Sequence, residues 1–359
     1  TIGNASTSEG LFFETINAAG VLQVPMVICV WDDEYGISVH ARHQTTKENI
    51  SEILGGFQRD EQTKGYEIIR VKGWDYAELV AAFEKASKIA RTEHVPVMIH
   101  VRELTQPQGH STSGSHERYK NADRLAWEAE FDCIRQMRLW MLSFNIATEA
   151  ELDEIESEAK KAVLEGKKNA WNAFVSPIKA EQQELCDLLG QIAQQSDNKV
   201  FIEKYAADLA ATKEPGRKDL LVLARKILRM VTGESGQTTL AQWIKKYTNT
   251  IQPKYSSHLH SASAQNVFSV TEVKPEYDES SEDTDGRVVL RDNFDALFSK
   301  YPQALIFGED SGNIGDVNQG LEGMQEKYGE LRVADAGIRE ATILGQGIGM
   351  AMRGLRPIA

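Results

Sequence analysis

The sequence predicts an α/β protein built on parallel sheets, and three observations predict it. Short apolar runs rich in β-branched residues recur at 24–31, 66–71 and 95–101. Between the last two lies a helical pattern that puts Leu79, Val80, Phe83 and Ala86 on one face. A second strand-and-helix alternation begins near residue 288. Strands alternating with helices imply a parallel sheet covered on both faces, and ligands in such folds bind at the carboxyl ends of the strands.

Taken in order, a small-residue turn at the amino terminus opens a helix over 9–22, and the first strand follows at 24–31. The helix over 76–91 starts on Asp75 and Glu78, whose spacing is that of a capping box. From Asn121 the texture becomes helical. One long helix is expected over 122–144, and a second, capped by Thr148 with Glu151, runs to Leu164. Further helices are expected over 181–195, 218–231 and 240–247, with no catalytic pattern among them. The polar stretch 255–286 ends in Glu276, Asp278, Glu279, Glu282, Asp283 and Asp285. Low apolar content and mutual repulsion make it a solvated tether. Beyond it come a helix over 288–301, a strand over 304–307, and helices over 320–328 and 338–353. The last of these carries Gly345, Gly347 and Gly349. Each glycine costs a helix about 1 kcal/mol against alanine, so another backbone or a ligand is expected to pack closely there. A further strand should begin at Leu355. Four segments result: a first α/β domain over 1–121, a helical segment over 122–250, a linker over 251–286, and the start of a second α/β domain over 287–359.

The length of 359 residues suits two or three domains, each with a core of its own. A net charge of -13 argues against nucleic acid or an anionic membrane as the main partner. Cys29, Cys133 and Cys186 lie far apart without metal-ligand spacing, which points to a reducing, cytoplasmic setting. No apolar run is long enough to span a bilayer, and no signal peptide is evident. The chain lacks an initiator Met and its helix at 9–22 has nothing before it to fold against. It therefore reads as an internal piece of a longer protein, with both sheets truncated.

The residues that carry chemistry sit at strand ends. In Gly3-Asn4-Ala5-Ser6 a turn leads into a helix, and such a junction offers backbone N–H groups and a positive helix end to a phosphate. Alone this is weak, since Gly- and Ser-rich loops open many helices. After that helix and strand comes Asp32-Asp33-Glu34-Tyr35-Gly36-Ile37. A carboxylate beside a carboxamide from a neighbouring strand end is good oxygen coordination for Mg²⁺. Lone histidines in loops are usually surface residues, and His40, His43, His100 and His116 make weaker claims to function than His110.

These spacings resemble the thiamin diphosphate motif, in which Gly-Asp-Gly is followed at a fixed distance by Asn-Asn. More narrowly, residues 6–38 resemble the alpha subunit of 2-oxo acid dehydrogenase complexes, through STSEGLFFETINAAGVLQVPMVICV and EYGIS. The string Gln108-Gly109-His110-Ser111-Thr112-Ser113 resembles the loop after that subunit's last strand. Residues 308–312, 320–329 and 332–359 resemble the start of the beta subunit. The resemblance covers the two ends of the chain, and the middle rests on composition.

It implies transketolase-like, thiamin diphosphate-binding domains and an alpha–beta fusion. The implied metal ligands are Asn4, Asp33 and the carbonyl of Tyr35. Gly3, Asn4, Ala5, Ser6, Asp33, Ile37, His110 and Glu309 are the implied cofactor contacts. Glu340 would be the catalytic acid at the cofactor's pyrimidine nitrogen, and His110 would assist acyl transfer. Ser111 matches a serine phosphorylated in mitochondrial relatives, but an unmodified loop serine is the preferred reading here. The chain departs from the motif where Gly3-Asn4-Ala5 replaces Gly-Asp-Gly and Asp32-Asp33 replaces Asn-Asn. Carboxylate and carboxamide have exchanged places, so the site's charge is kept; a site that no longer binds metal is the other reading. The resemblance further implies an oxidoreductase that decarboxylates a 2-oxo acid, of the branched-chain (2-oxoisovalerate) type, with pyruvate as the runner-up. Reductive acylation of a lipoyl-bearing dihydrolipoyl acyltransferase and assembly as a homo-oligomer go with it. A catalytically inactive scaffold is the reading from another class.

Overall fold

In the computed structural model, which describes residues 1–106, 116–257, 259, 261–264 and 266–359, the chain divides into two units. Thr1–Thr148 with Asp278–Ala359 form one, and Glu149–Tyr277 the other. No helix of the described residues is long and apolar enough to cross a membrane.

The first unit begins with β1 (Ile2–Gly3), a 3-10 turn over Asn4–Ser8, α1 (Gly10–Leu22) and β2 (Val27–Trp31). A small antiparallel hairpin, β3 (Tyr35–Gly36) with β4 (Val39–His40), precedes the short α2 (Ile50–Ile53). Then come β5 (Glu67–Lys72), α3 (Tyr76–Glu93) and β6 (Val97–Arg102). The strands form an all-parallel sheet in the order β1-β2-β6-β5. β6 lies between two partners, and its residues 97–101 are all buried. Its alternation divides the core: Val97, Ile99 and Val101 pack with Ala86 and Ile89 of α3, while Met98 packs with Phe12 and Ile16 of α1. Asp75 caps α3 by accepting the Glu78 N–H at 2.9 Å. The expected box is only half made, because Glu78 Oε2 turns to the Lys72 N–H at 3.4 Å.

The single helix expected over 122–144 is two, α4 (Ala122–Glu130) and α5 (Cys133–Ser143). Asp132 causes the break by accepting the Arg135 N–H at 2.9 Å, which starts a new helix. The Phe131 ring fixes the corner between Trp74 and Trp127, at 5.0 and 5.4 Å between centroids.

The second unit is helical: α6 (Glu149–Ala193), α7 (Lys199–Ala210), α8 (Arg217–Met230) and α9 (Gly236–Ser256). The expected end at Leu164 is not one, because α6 runs on through Gly166 and Pro177. Its burial resumes at Val175, and from there Ile178, Leu185, Leu189 and Ile192 are buried. Leu185 and Leu189 share a core with Leu220, Ile227, Leu240 and Trp243. Packing against the later helices supports the part of α6 beyond Pro177, whereas residues 153–174, around Gly166, are exposed throughout. α9 likewise extends past residue 250, where the linker was expected to start.

The chain returns to the first unit with α10 (Gly286–Lys300), β7 (Ala304–Gly308), α11 (Met324–Tyr328), β8 (Val333–Asp335), α12 (Glu340–Met352) and β9 (Arg356–Ile358). These strands form a second parallel sheet in the order β8-β7-β9. The helix expected over 320–328 is confined to α11, since Gly323 before it has a left-handed φ of 74°. Close packing holds at one of the three glycines of α12. A Cβ on Gly347 would lie 3.3 Å from Ala359 Cβ, whereas Gly345 and Gly349 have nothing within 4 Å.

Candidate functional site

Gly3 of β1 pairs with Trp31 of β2, so Asn4 and Asp32 leave adjacent parallel strands side by side. Asn4 is buried, and its carbonyl accepts the Thr7 hydroxyl at 2.6 Å. This bond belongs to the 3-10 turn that stands between the strand and α1, where a direct junction was expected. Gly3 and Ser6 are exposed and Ala5 is half-buried. The second half of the motif touches the first. A Cβ on Gly36 would fall 2.6 Å from Ala5 Cβ, so only glycine lets the two loops meet.

The loop after β2 is strained and firmly held. Glu34 and Ile37 have left-handed φ angles of 69° and 59°, a conformation that disfavours a β-branched residue such as Ile37. Asp33 Oδ1 accepts the Tyr35 N–H at 3.1 Å, and Arg124 Nη2 donates to the Asp33 carbonyl at 2.9 Å. Arg124 also pairs with Glu34, and through Nε with Glu128 at 2.8 Å. Glu128 holds the fully buried Lys120 at 2.7 Å, and that ammonium lies 4.9 Å from the centre of the Tyr35 ring. Burial pushes the Asp33 carboxyl above its usual range, a shift that the Tyr35 N–H and the Lys120 charge only partly offset. A half-buried carboxylate raised by burial in this way gains from a cation.

Of the adjacent Asp32 and Asp33 only Asp33 was expected as a ligand, and in the structure Asp32 is engaged elsewhere. Asp32 Oδ2 takes His100 Nε2 at 2.8 Å, and His100 Nδ1 meets Ser51 Oγ at 2.9 Å. Asp32 and His100 are buried, whereas Asp33 is half-buried. Among the described residues no three His, Cys, Asp or Glu side chains converge as a metal cluster. The implied set of one carboxylate, one carboxamide and one carbonyl is of a different composition. Arg124, Lys120 and Glu128 were not foreseen, because nothing in a helical charge pattern marks its partners in another loop. His100 did leave a signal: an imidazole inside an apolar strand needs a buried partner. His110 and Ser111 lie outside the described residues. His40 and His43 are occupied with Arg42, whose N–H and Nε they accept at 3.2 and 3.1 Å.

Sequence profiles match both ends of the chain. That of the dehydrogenase E1 component covers residues 1–179, and that of the transketolase pyrimidine-binding domain covers 283–359. Similar proteins include the mitochondrial 2-oxoisovalerate dehydrogenase subunit alpha 1 of Arabidopsis thaliana, 29% identical over 53% of this chain and 38% of its own length. A pyruvate dehydrogenase E1 component subunit beta of Chaetosphaeridium globosum is 45% identical over 19% of this chain and 21% of its own. An Arabidopsis thaliana protein named as a 2-dehydropantoate 2-reductase is 26% identical over 65% of this chain and 59% of its own. The chain spans less than two thirds of each of these relatives. An E1 segment followed on one chain by a pyrimidine-binding segment decides the family. The chain belongs to the thiamin diphosphate-dependent 2-oxo acid dehydrogenases.

In this family member the pyrimidine-binding segment brings Glu309 and Glu340 to the carboxyl edge of the second sheet. Glu309 follows β7, and Glu340 opens the first turn of α12; both are exposed. Asp335, at the end of β8, orders the loop between them by accepting the Gly312 N–H at 2.7 Å and the Asn313 N–H at 3.0 Å. α12 packs on α1, and Thr342 Oγ1 donates to Glu14 Oε2 at 2.8 Å. The helix behind Glu340 is thus tied to the helix that follows the Asn4 turn. On the chemistry of the donors the residues would suit a divalent metal beside a diphosphate: one carboxylate raised by burial, one buried carboxamide and a strained loop in contact with the turn.

Proposed function

We propose that this chain is part of an enzyme that oxidatively decarboxylates a branched-chain 2-oxo acid and reductively acylates a lipoyl group on a partner acyltransferase. The observation that carries the reading is the contact of Gly36 with Ala5, which joins the two halves of the cofactor motif across adjacent strand ends. Asn4, Asp33 and the Tyr35 carbonyl would hold Mg²⁺, with the exchanged carboxylate and carboxamide keeping the site's charge. Backbone N–H groups of Gly3, Ala5 and Ser6 would face the diphosphate, with Ile37 against the cofactor. When bound, thiamin diphosphate supplies the carbon nucleophile and the electron sink for loss of CO₂. Glu340 would hold a proton at the pyrimidine nitrogen, supported by Glu309, and His110 would assist acyl transfer. Free thiols at Cys29, Cys133 and Cys186 support a reducing, cytoplasmic setting. A homo-oligomer is the expected assembly.

Pyruvate is the second reading, favoured by the pyruvate dehydrogenase named among the beta-type relatives. The test is calorimetric titration of the full-length protein with thiamin diphosphate, with and without Mg²⁺, followed by decarboxylation assays. Metal-dependent binding is expected, and its absence would leave an inactive scaffold as the function. If binding is seen, kcat/KM should favour 3-methyl-2-oxobutanoate over pyruvate by about tenfold or more, the discrimination that two buried carbons provide. A preference for pyruvate would overturn the branched-chain assignment.

A further inference from the structure

We propose that the buried Ser51, His100 and Asp32, anchored from the exposed Arg70, form a positioning chain that presets the strained 33–36 loop, and with it the presentation of Asp33 and of the Tyr35 carbonyl. The inference rests on the reading of Asp33 and Tyr35 as site residues and explains how they are held. Arg70 donates from Nε to Ser51 Oγ at 2.8 Å and from Nη2 to the Ser51 carbonyl at 3.0 Å. Ser51 meets His100 Nδ1 at 2.9 Å, and His100 Nε2 meets Asp32 Oδ2 at 2.8 Å. A carboxylate can only accept, so Nε2 carries the proton on that side. Asp32 Oδ1 then accepts the Glu34 N–H at 2.8 Å. That bond lands on the residue whose φ is 69°.

The chain runs without a gap from β5, through α2 and β6, to the loop that closes on the Asn4 turn. Ser51 and His100 are fully buried. Asp32 is also pinned by its backbone, its N–H to the Val101 carbonyl at 2.9 Å and its carbonyl to the Leu104 N–H at 3.1 Å. Strained backbone persists only where its surroundings over-determine it, and this chain supplies that determination. It also accounts for two adjacent aspartates at one strand end. One is withdrawn into the sheet as structure, which leaves the other as the carboxylate at the loop surface. Partners that orient ligands are commonly worth 10- to 100-fold in affinity, so the effect should be measurable.

The test is His100→Leu in the full-length protein, read by amide hydrogen exchange and by calorimetry. We expect the Glu34 and Tyr35 amides to exchange about tenfold faster, with protection of β2 and β5 retained, and Mg²⁺-dependent thiamin diphosphate affinity to fall about tenfold. The pair Asp32→Asn with His100→Gln, which rebuilds a neutral hydrogen bond, should return both readings close to wild type. Unchanged exchange at 34–35 in a folded variant overturns the proposal, as does a uniform loss of protection across the sheet. If His100→Leu does not fold, Ser51→Ala takes its place with the same readout. Should the wild-type protein bind no cofactor, the functional reading fails, while the exchange result still decides this one.

Discussion

The carboxyl edges of the two parallel sheets each present acidic side chains, and they do so in opposite settings. On the first, Asp32 is buried against His100, Asp33 is half-buried, and the loop is held by Arg124 and by the Lys120–Glu128 pair. On the second, Glu309 and Glu340 are exposed, and the loop after Glu309 is tied by Asp335 and by backbone bonds such as the Asp316 N–H to the Asp310 carbonyl at 2.7 Å. The contrast matches the two tasks proposed for them. A metal and a diphosphate need charges fixed in advance, since reorganising charged groups at the moment of binding is costly. A proton carrier needs access to its partner atom more than rigidity.

The largest expected effects would break this division if it is wrong. Asp33→Ala should weaken Mg²⁺-dependent thiamin diphosphate binding by about 100-fold or more, because it removes the one charged ligand. Glu340→Gln should leave that affinity within a few-fold of wild type while abolishing decarboxylation. Calorimetry on both variants, with a decarboxylation assay on the second, separates the roles. Equal loss of affinity in the two would mean that both edges bind and neither is a dedicated acid.

A smaller effect tests the difference in rigidity. Lys120→Met leaves Glu128 buried with Arg124 alone, and removing one member of a buried pair costs about 3 kcal/mol. The double variant Lys120→Met with Glu128→Gln should recover at least half of that, since no unpaired charge remains. Beside the second sheet, Lys327 of α11 pairs with Asp295 of α10 at 2.6 Å on an exposed surface. Lys327→Met should therefore leave the unfolding midpoint near wild type. Urea unfolding of the three variants gives the comparison; a large shift for Lys327→Met would show that the helices beside the second sheet also depend on their ion pairs.

What could be read from the sequence follows from the range of the interactions concerned. The strands at 24–31, 66–71 and 95–101 and the Asp75 cap are local patterns, and the structure has them within a few residues. The pairing of the Asn4 turn with the Asp33 loop was legible because both sit at strand ends of one parallel sheet. The engagement of Asp32 was not, since it depends on His100 reaching across from the neighbouring strand. The same limit explains α6. Its continuation beyond Pro177 rests on buried contacts of Leu185, Leu189 and Ile192 with later helices, which no window of the sequence contains. Arg124 was hidden for a third reason: its partners, Asp33 and Glu34, lie about ninety residues earlier, a separation over which charge patterning carries no information.

The smallest expected effect concerns α12, the helix behind Glu340, where three glycines looked alike in sequence. Gly345 borders an apolar cavity of about 340 Å³ between α1 and α12, lined in part by Leu11, Ala18 and Met26. Gly349 also has open space where a Cβ would sit. Alanine at either position gains helix propensity and meets no neighbour, so each variant should be more stable by about 0.5–1 kcal/mol. At Gly347 the new methyl comes within 3.3 Å of Ala359 and 4.0 Å of Phe307, and the neighbour must yield by a few tenths of an ångström. That strain offsets the propensity gain, so Gly347→Ala should fall below both other variants and lie close to wild type. Denaturant midpoints rank the three directly. If Gly347→Ala stabilises as much as Gly345→Ala, β9 has slack against α12, and the second sheet edge is looser than the first in its packing as well as in its charges.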